Sequence, residues 1–199
     1  DYALPLDELA KLPGCRQPKE QDLAEAKRLV EKHHPGGLDV EMVVRSVGNY
    51  VDRAQIAIAQ LRKVGIRGTL KTLESAAGFA AYGKGDFTLI ATQDRAMDLN
   101  DPSAVFHIAY TTEAGSNHGR WSDPKVDELA DKGLRESNRD KRKAIYWELQ
   151  RHILTRADTA SIPVGWVEGW FFKDKKLRGF KPGVTVYDNN TFMKVWIAQ

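Results

Sequence analysis

Cysteine is nearly absent: Cys15 is the one thiol in 199 residues. It cannot close an internal disulfide, so the redox compartment is not readable from it. Its Pro13-Gly14-Cys15 turn brings no neighbouring base, and it reads as a solvent-facing or packing thiol rather than a nucleophile. No stretch approaches the ~18 apolar residues of a membrane span, and no signal-peptide pattern is present. The chain opens on Asp1, not Met, which points to a processed or cut product, so the missing leader does not argue for the cytoplasm. Charge of one sign is lacking too: 30 basic against 27 acidic residues leave a net charge of +3. The densest basic cluster, Arg139 to Lys143, also holds Asp140 and fits a solvated helix face, so no nucleic-acid partner is expected.

Motifs of chemistry are missing as well. There is no G-x-S-x-G elbow, no H-x-x-x-H or C-x-x-C spacing, no P-loop and no G-x-G-x-x-G. Asp94 and Asp98 alone do not make an acid–base site, because nothing beside them polarises a substrate. The stretch Asp98-Leu99-Asn100-Asp101 lacks the alternating ligands and glycine of a calcium loop. His33 and His34 adjoin each other and suit a helix C-terminus, where imidazolium favours the dipole. His107, His118 and His152 are isolated, and core or surface roles are their default. Neither an enzyme nor a cofactor or metal is expected. Internal repeats and low-complexity tracts are absent.

What is present is an ordinary globular composition, 42% hydrophobic and 29% charged, long enough for a large core without staples. Pro5, Pro13, Gly14 and Pro18 make residues 1–18 a loop. Residues 19–32 read as a helix with Leu23, Ala26, Leu29 and Val30 on one face. A strand over 38–45, a helix over 50–64 and a strand over 66–73 form a βαβ unit with parallel strands. A second helix follows over 75–82, then a third strand over 86–91. The polar stretch 92–102 lies beyond that strand's carboxyl end, where open α/β sheets bind ligands. Asp101 caps the apolar run 104–110. Asp123-Pro124 starts a further helix, and Asn138 caps another that runs to about 156. Near residue 162 the pattern changes to short strand-like pieces, 177–180, 184–187 and 192–197, among turns.

The order of these pieces resembles the C-terminal lobe of the peptide, nickel and opine class of solute-binding proteins (family 5). The resemblance begins in Ala24 to Val30 and continues through Ala54 to Ile66 and Gly85-Asp86-Phe87-Thr88-Leu89. It runs on through Asp98-Leu99-Asn100-Asp101-Pro102, Asn117, Trp121-Ser122-Asp123-Pro124, Asp127 and Leu129. Arg142, Ile145 and Tyr146, then Ile162-Pro163-Val164 and Leu177-Arg178-Gly179-Phe180, complete it. It implies an α/β fold: a periplasmic-binding-protein-like lobe with a mixed sheet flanked by helices, plus a strand-rich C-terminal segment. Residues 1–18 are then a loop or hinge segment and 19–161 the C-terminal ligand-binding lobe. Residues 162–199 cross the hinge and return to a first lobe that this chain lacks. Trp166, Trp170, Phe171, Phe172 and Trp196 then pack on that missing lobe, or else complete this domain's own sheet.

The resemblance further implies a periplasmic or extracellular, secreted protein that hands a small molecule, such as a peptide or opine, to the membrane permease of an ABC importer. In peptide-binding relatives an aspartate at the position of Asp98 meets the ligand's ammonium; the alternative for Asp98 is a turn residue that bonds its own backbone. Two departures stand out. Arg95 replaces a tryptophan common in the family, and Thr88 replaces a strand aspartate. Arg95 either pairs with a ligand carboxylate, which makes the ligand anionic or zwitterionic, or neutralises Asp94 and Asp98. Tyr82 and Trp121 are candidate walls of the site, and Asn117 ties down its own loop. A different class also fits: a non-catalytic protein–protein interaction module with no small-molecule ligand, which would show an exposed apolar patch and no cleft.

Overall fold

The computed structural model describes residues 2–90, 101–156, 158, 161–162, 172–181 and 192–198. The chain divides into two compact units, one of residues 3–94 and one of residues 1–2 with 95–199.

In the first unit the residues from Ile66 to Leu73 form β2, which runs parallel to β1, Leu38–Arg45, with Leu38 opposite Ile66 and Arg45 opposite Leu73. A short β3, Leu89–Ile90, pairs parallel with Met42 and Val43 on the other side of β1. The described sheet is therefore all parallel, in the order β2-β1-β3. It is preceded by α1, Leu6–Leu9, and α2, Glu20–His33; α3, Tyr50–Arg62, and α4, Ser75–Lys84, are the crossover helices. Alternation along β1 decides what covers it. Val40, Met42 and Val44 point to one face, where Ala54, Ile58 and Leu61 of α3 meet them. Gly68 of β2 makes this approach possible, because a Cβ there would lie 2.6 Å from Ile58 Cγ1. On the other face Asp39 and Glu41 are exposed and pair with Arg67 and Lys71 of β2, whereas Val43 and Arg45 are buried. α4 packs against β1; on this face its Gly78 lies against the Arg45 stem.

Two expectations are corrected. The N-terminal segment is not all loop: Pro5 supplies an extended residue ahead of the four-residue α1. Proline stops a helix from within but is compatible with its start. The third strand starts at Leu89 rather than at residue 86, because Gly85 takes φ +77° and the Gly85 and Asp86 N–H groups bond back to Tyr82 and Ala81 to close α4.

The second unit holds α5, Pro102–Ala109, α6, Pro124–Arg135, and α7, Arg139–Leu154. Each starts on the cap its sequence announces. Asp101 accepts from Ser103 N, Asp123 from Lys125 N and Val126 N, and Asn138 from Asp140 N and Lys141 N. Their apolar faces converge on Phe106, Leu129, Tyr146, Leu149 and Ile153. Phe106 stacks on Tyr146 at 5.6 Å, and Tyr2 meets Tyr146 edge-on at 5.8 Å. Gly133 lets α6 lie on the Tyr146 ring, since a Cβ there would sit 2.6 Å from a ring carbon. Arg142 crosses this layer. Its fork donates to both Asp101 oxygens at 2.7 Å and its Nε to the Gly133 carbonyl at 2.8 Å. β4, Leu177–Arg178, pairs antiparallel with β5, Trp196–Ile197, just after a 3-10 turn, Phe192–Lys194. Gly179 is needed there, because any Cβ would strike the Lys194 carbonyl oxygen. Trp166, Trp170, Phe171 and the expected strand 184–187 lie outside the described residues, while Phe172 is 95% and Trp196 59% exposed.

The Asp101–Arg142 pair makes stability depend on pH. Arg142 above all, with Ser103 assisting and burial opposing, holds the Asp101 carboxyl well below its ordinary range. An unfolded aspartate titrates near ~3.9, so the pair's contribution is whole above about pH 5 and is lost as pH falls through the folded value. Asparagine caps a helix as well as aspartate does, so Asp101→Asn removes the ion pair alone. The Asp101 side chain is 34% exposed, which screens the pair. We expect Asp101→Asn to cost about 1–3 kcal/mol at neutral pH. In urea unfolding the gap to wild type should narrow as pH drops below ~4; a gap independent of pH refutes this account. Gly133→Ala should lower stability by about 1–3 kcal/mol through overpacking against Tyr146, and an unchanged unfolding midpoint would show that the ring moves freely.

Candidate functional site

The carboxyl edge of the sheet is where the fold concentrates unusual chemistry. β1 ends in Arg45, which is only 9% exposed. Its guanidinium lies 3.9 Å from the Phe79 ring centroid and 5.4 Å from that of Tyr50, and its Nη1 donates to Ser75 Oγ at 2.9 Å. Among the described residues its partners are thus rings and the Ser75 and Tyr82 hydroxyls. Its Nε is buried without a hydrogen-bond partner. The position follows from the fold: Arg45 falls on the β1 face that α4 covers, and Gly78 leaves the room, since a Cβ there would lie 2.4 Å from Arg45 Cγ. Burying a cation without a counter-charge costs several kcal/mol, about 2 of which a desolvated ring face returns.

Tyr82, a candidate wall, stands in the same cluster. It is 2% exposed and makes edge-on contacts with Phe79 at 6.2 Å and Phe87 at 6.1 Å. Burial pushes its phenol up, and Arg45 works against that shift. Arg53 of α3 lies over Tyr50 at 4.8 Å. Two guanidinium groups and four rings therefore gather beside the end of β1. Trp121 belongs to the other unit. It is half-buried against the α5–α7 core, and its main-chain N–H and carbonyl are both held by the Asn117 amide at 3.1 and 2.6 Å. Asn117 does tie down its own loop, reaching the Thr111 and Thr112 carbonyls as well. Arg95 and Asp98, with Asp94, lie outside the described residues.

Sequence reasoning passed over Arg45 as the last residue of a buried strand. A signal was there: a lone arginine closing the apolar run Met42-Val43-Val44. Elsewhere, an open groove of about 350 Å³ is lined by His107, Thr112, Glu113, Asp127, Glu128 and Asp131 among others. Its carboxylates serve the fold: Asp127 accepts from Thr112 N and Oγ1 at 2.8 and 2.6 Å, and Glu128 pairs with Lys132. Among the described residues no three His, Cys, Asp or Glu side chains gather as a metal site, and no helix is long and apolar enough to cross a membrane.

The sequence matches no family model and no curated protein. Solved structures do match. HbpA2 from Haemophilus parasuis superposes with a TM-score of 0.72 at 20% identity, over 95% of this chain and 37% of that one. The Escherichia coli murein tripeptide binding protein MppA gives 0.65 at 20% identity, over 73% of this chain and 29% of that one. The periplasmic binding protein DppA from Helicobacter pylori, associated with an ABC transporter and bound to the peptide STSA, gives 0.61 at 22% identity, over 77% and 35%. The chain thus spans about a third of the length of the structures it matches. They are of the class that the ordered motifs resemble, and the parallel sheet flanked by helices is the periplasmic-binding-protein-like fold, present here over that third.

Proposed function

We propose that this chain is the C-terminal part of the substrate-binding component of an ABC import system, which captures a peptide-like or other zwitterionic small solute between two lobes and catalyses nothing. The observation that carries this reading is the buried, ring-held Arg45 at the carboxyl end of the central strand, in a fold shared with binding proteins for murein tripeptide and other peptides. Open α/β sheets take their ligands at that edge, and a lobe that closes on a solute has to meet each charged group with an opposite one. Arg45 answers a carboxylate. Asp98 answers an ammonium, and Arg95 a second carboxylate or its own acidic neighbours. Tyr82 backs the guanidinium and keeps water from it, and Trp121 is a further candidate for ligand contact.

Residues 19–161 are the ligand-binding lobe on this reading. Residues 1–18 are the hinge side, and 162–199 return to the first lobe. The exposed Phe172 and Trp196 suit a surface made to be covered. The partners are the membrane permease and the first lobe, and the protein works in the periplasm or outside the cell.

A thermal-shift screen of the two-lobed protein against di- and oligopeptides, opines, amino-acid conjugates and sugars tests this. A bound solute at 100 times its Kd stabilises by about 2.7 kcal/mol. We expect a zwitterionic hit whose affinity falls at least tenfold in Arg45→Met and in Asp98→Ala, an effect of about 1.4 kcal/mol or more. A hit indifferent to both variants keeps transport and removes the site. No hit from any class, with the protein folded, favours an interaction module instead.

A further inference from the structure

Arg142 does more than pair with Asp101. The same guanidinium lies 5.3 Å from the ring centroids of both Tyr2 and Tyr146, and Nη1 reaches the Tyr2 hydroxyl at 3.5 Å. The Tyr2 carbonyl is fixed separately by Gln150 Nε2 at 2.8 Å. Three segments far apart in sequence therefore meet on one planar cation: the chain's first residues, the start of α5 and the end of α6 at Gly133. The fork is fully committed. Two parallel charge-assisted bonds hold Asp101, and the third edge holds Gly133. A displaced Tyr2 ring presses on this group, and the group cannot turn without loosening Asp101, the cap of α5. A lysine could not hold both partners, since it offers one point of charge instead of a fork.

We infer that Arg142 is a positioning residue that couples Tyr2 to Asp101, the cap of α5. Its meaning for transport rests on the proposed function, in which the first residues belong to the hinge. Motion at the hinge then reaches the start of α5 through a polar joint. Contacts with two discrete arrangements carry such coupling, and packed residues sharing one partner are non-additive when mutated.

The test is hydrogen exchange, read on peptides covering α5, with α6 and the β1–β2 strands as references, in this chain and without solute. Tyr2→Ala should speed exchange in the first turn of α5 about tenfold. Tyr2→Phe, which keeps the ring over the guanidinium, should restore the wild-type rate. Arg142→Lys should match Tyr2→Ala, and the double variant should add nothing. The inference is overturned by a Tyr2→Ala effect confined to the N-terminus, by additive effects in the double variant, or by a uniform rise through α6 that would mark lost packing only. If Arg142→Lys does not fold, the Tyr2 pair decides alone. Coupling with no solute found removes transport and leaves the joint; a solute found with Tyr2 uncoupled removes only the joint.

Discussion

A parallel sheet has to be covered on both faces, because its crossovers place helices there and its strands are buried. In this chain the constraint falls on β1, which has a strand on each side. The first half of β1 escapes it on one face by carrying Asp39 and Glu41, which find Arg67 and Lys71 on β2 and stay in solvent. The second half cannot escape, since Met42 to Arg45 are all buried. α3 closes one face with aliphatic side chains. α4 lays Gly78 against the Arg45 stem and sets the Phe79 ring under its head. The arginine is thus a consequence of the cover as much as of the strand. Its stem fills the space an aliphatic residue would take, and its head remains among rings at the sheet's edge.

The second unit solves a different problem with similar parts. Three helices start on carboxylate or amide caps, and two of those caps are used twice. Asp101 holds Ser103 with one oxygen and shares both with Arg142. Asp123 caps α6 through Oδ1, while Oδ2 takes His152 at 2.8 Å and Arg156 at 3.2 Å. Burial works to raise the Asp123 carboxyl, yet His152 and the Lys125 and Val126 N–H groups outweigh it and hold it low. Capping alone would fix where each helix begins. The second use fixes which helix lies beside it, because α7 supplies Arg142 to Asp101 and His152 to Asp123.

Local rules account for what could be read in advance. The limits of β1 and β2 coincide with the expected ones, because glycine or a charged turn bounds each apolar run. The caps Asp101, Asp123 and Asn138 each sit one residue before a helix, which a six-residue window is enough to show. β3 starts late because Gly85 and Asp86 are taken by the end of α4, a competition that the alternation of residues 86–91 does not display. The Asp101–Arg142 bond spans 41 positions and was invisible for that reason, although both residues were noted separately. The same holds for Arg45 and Phe79: neither residue type announces that a ring will stand under a charge. Of the residues singled out for ligand contact, Tyr82 and Trp121 have known surroundings, and Arg95 and Asp98 lie outside the described residues.

The surroundings of Tyr82 sharpen what a ligand would meet. A phenol enclosed by Phe79 and Phe87, next to Arg45, has little surface of its own to give. Its contribution is to exclude water from the guanidinium. In a drier setting each charge interaction grows, since the effective dielectric falls, and the same dryness penalises a solute that brings no anion. Selectivity at such an edge therefore comes from the ring packing that desolvates the charge, more than from the charge itself. Ordinary affinity for any carboxylate is available to every surface arginine. A preference that survives physiological salt needs the cation to be out of reach of screening ions, and Arg45 is the described arginine that the fold has buried most deeply.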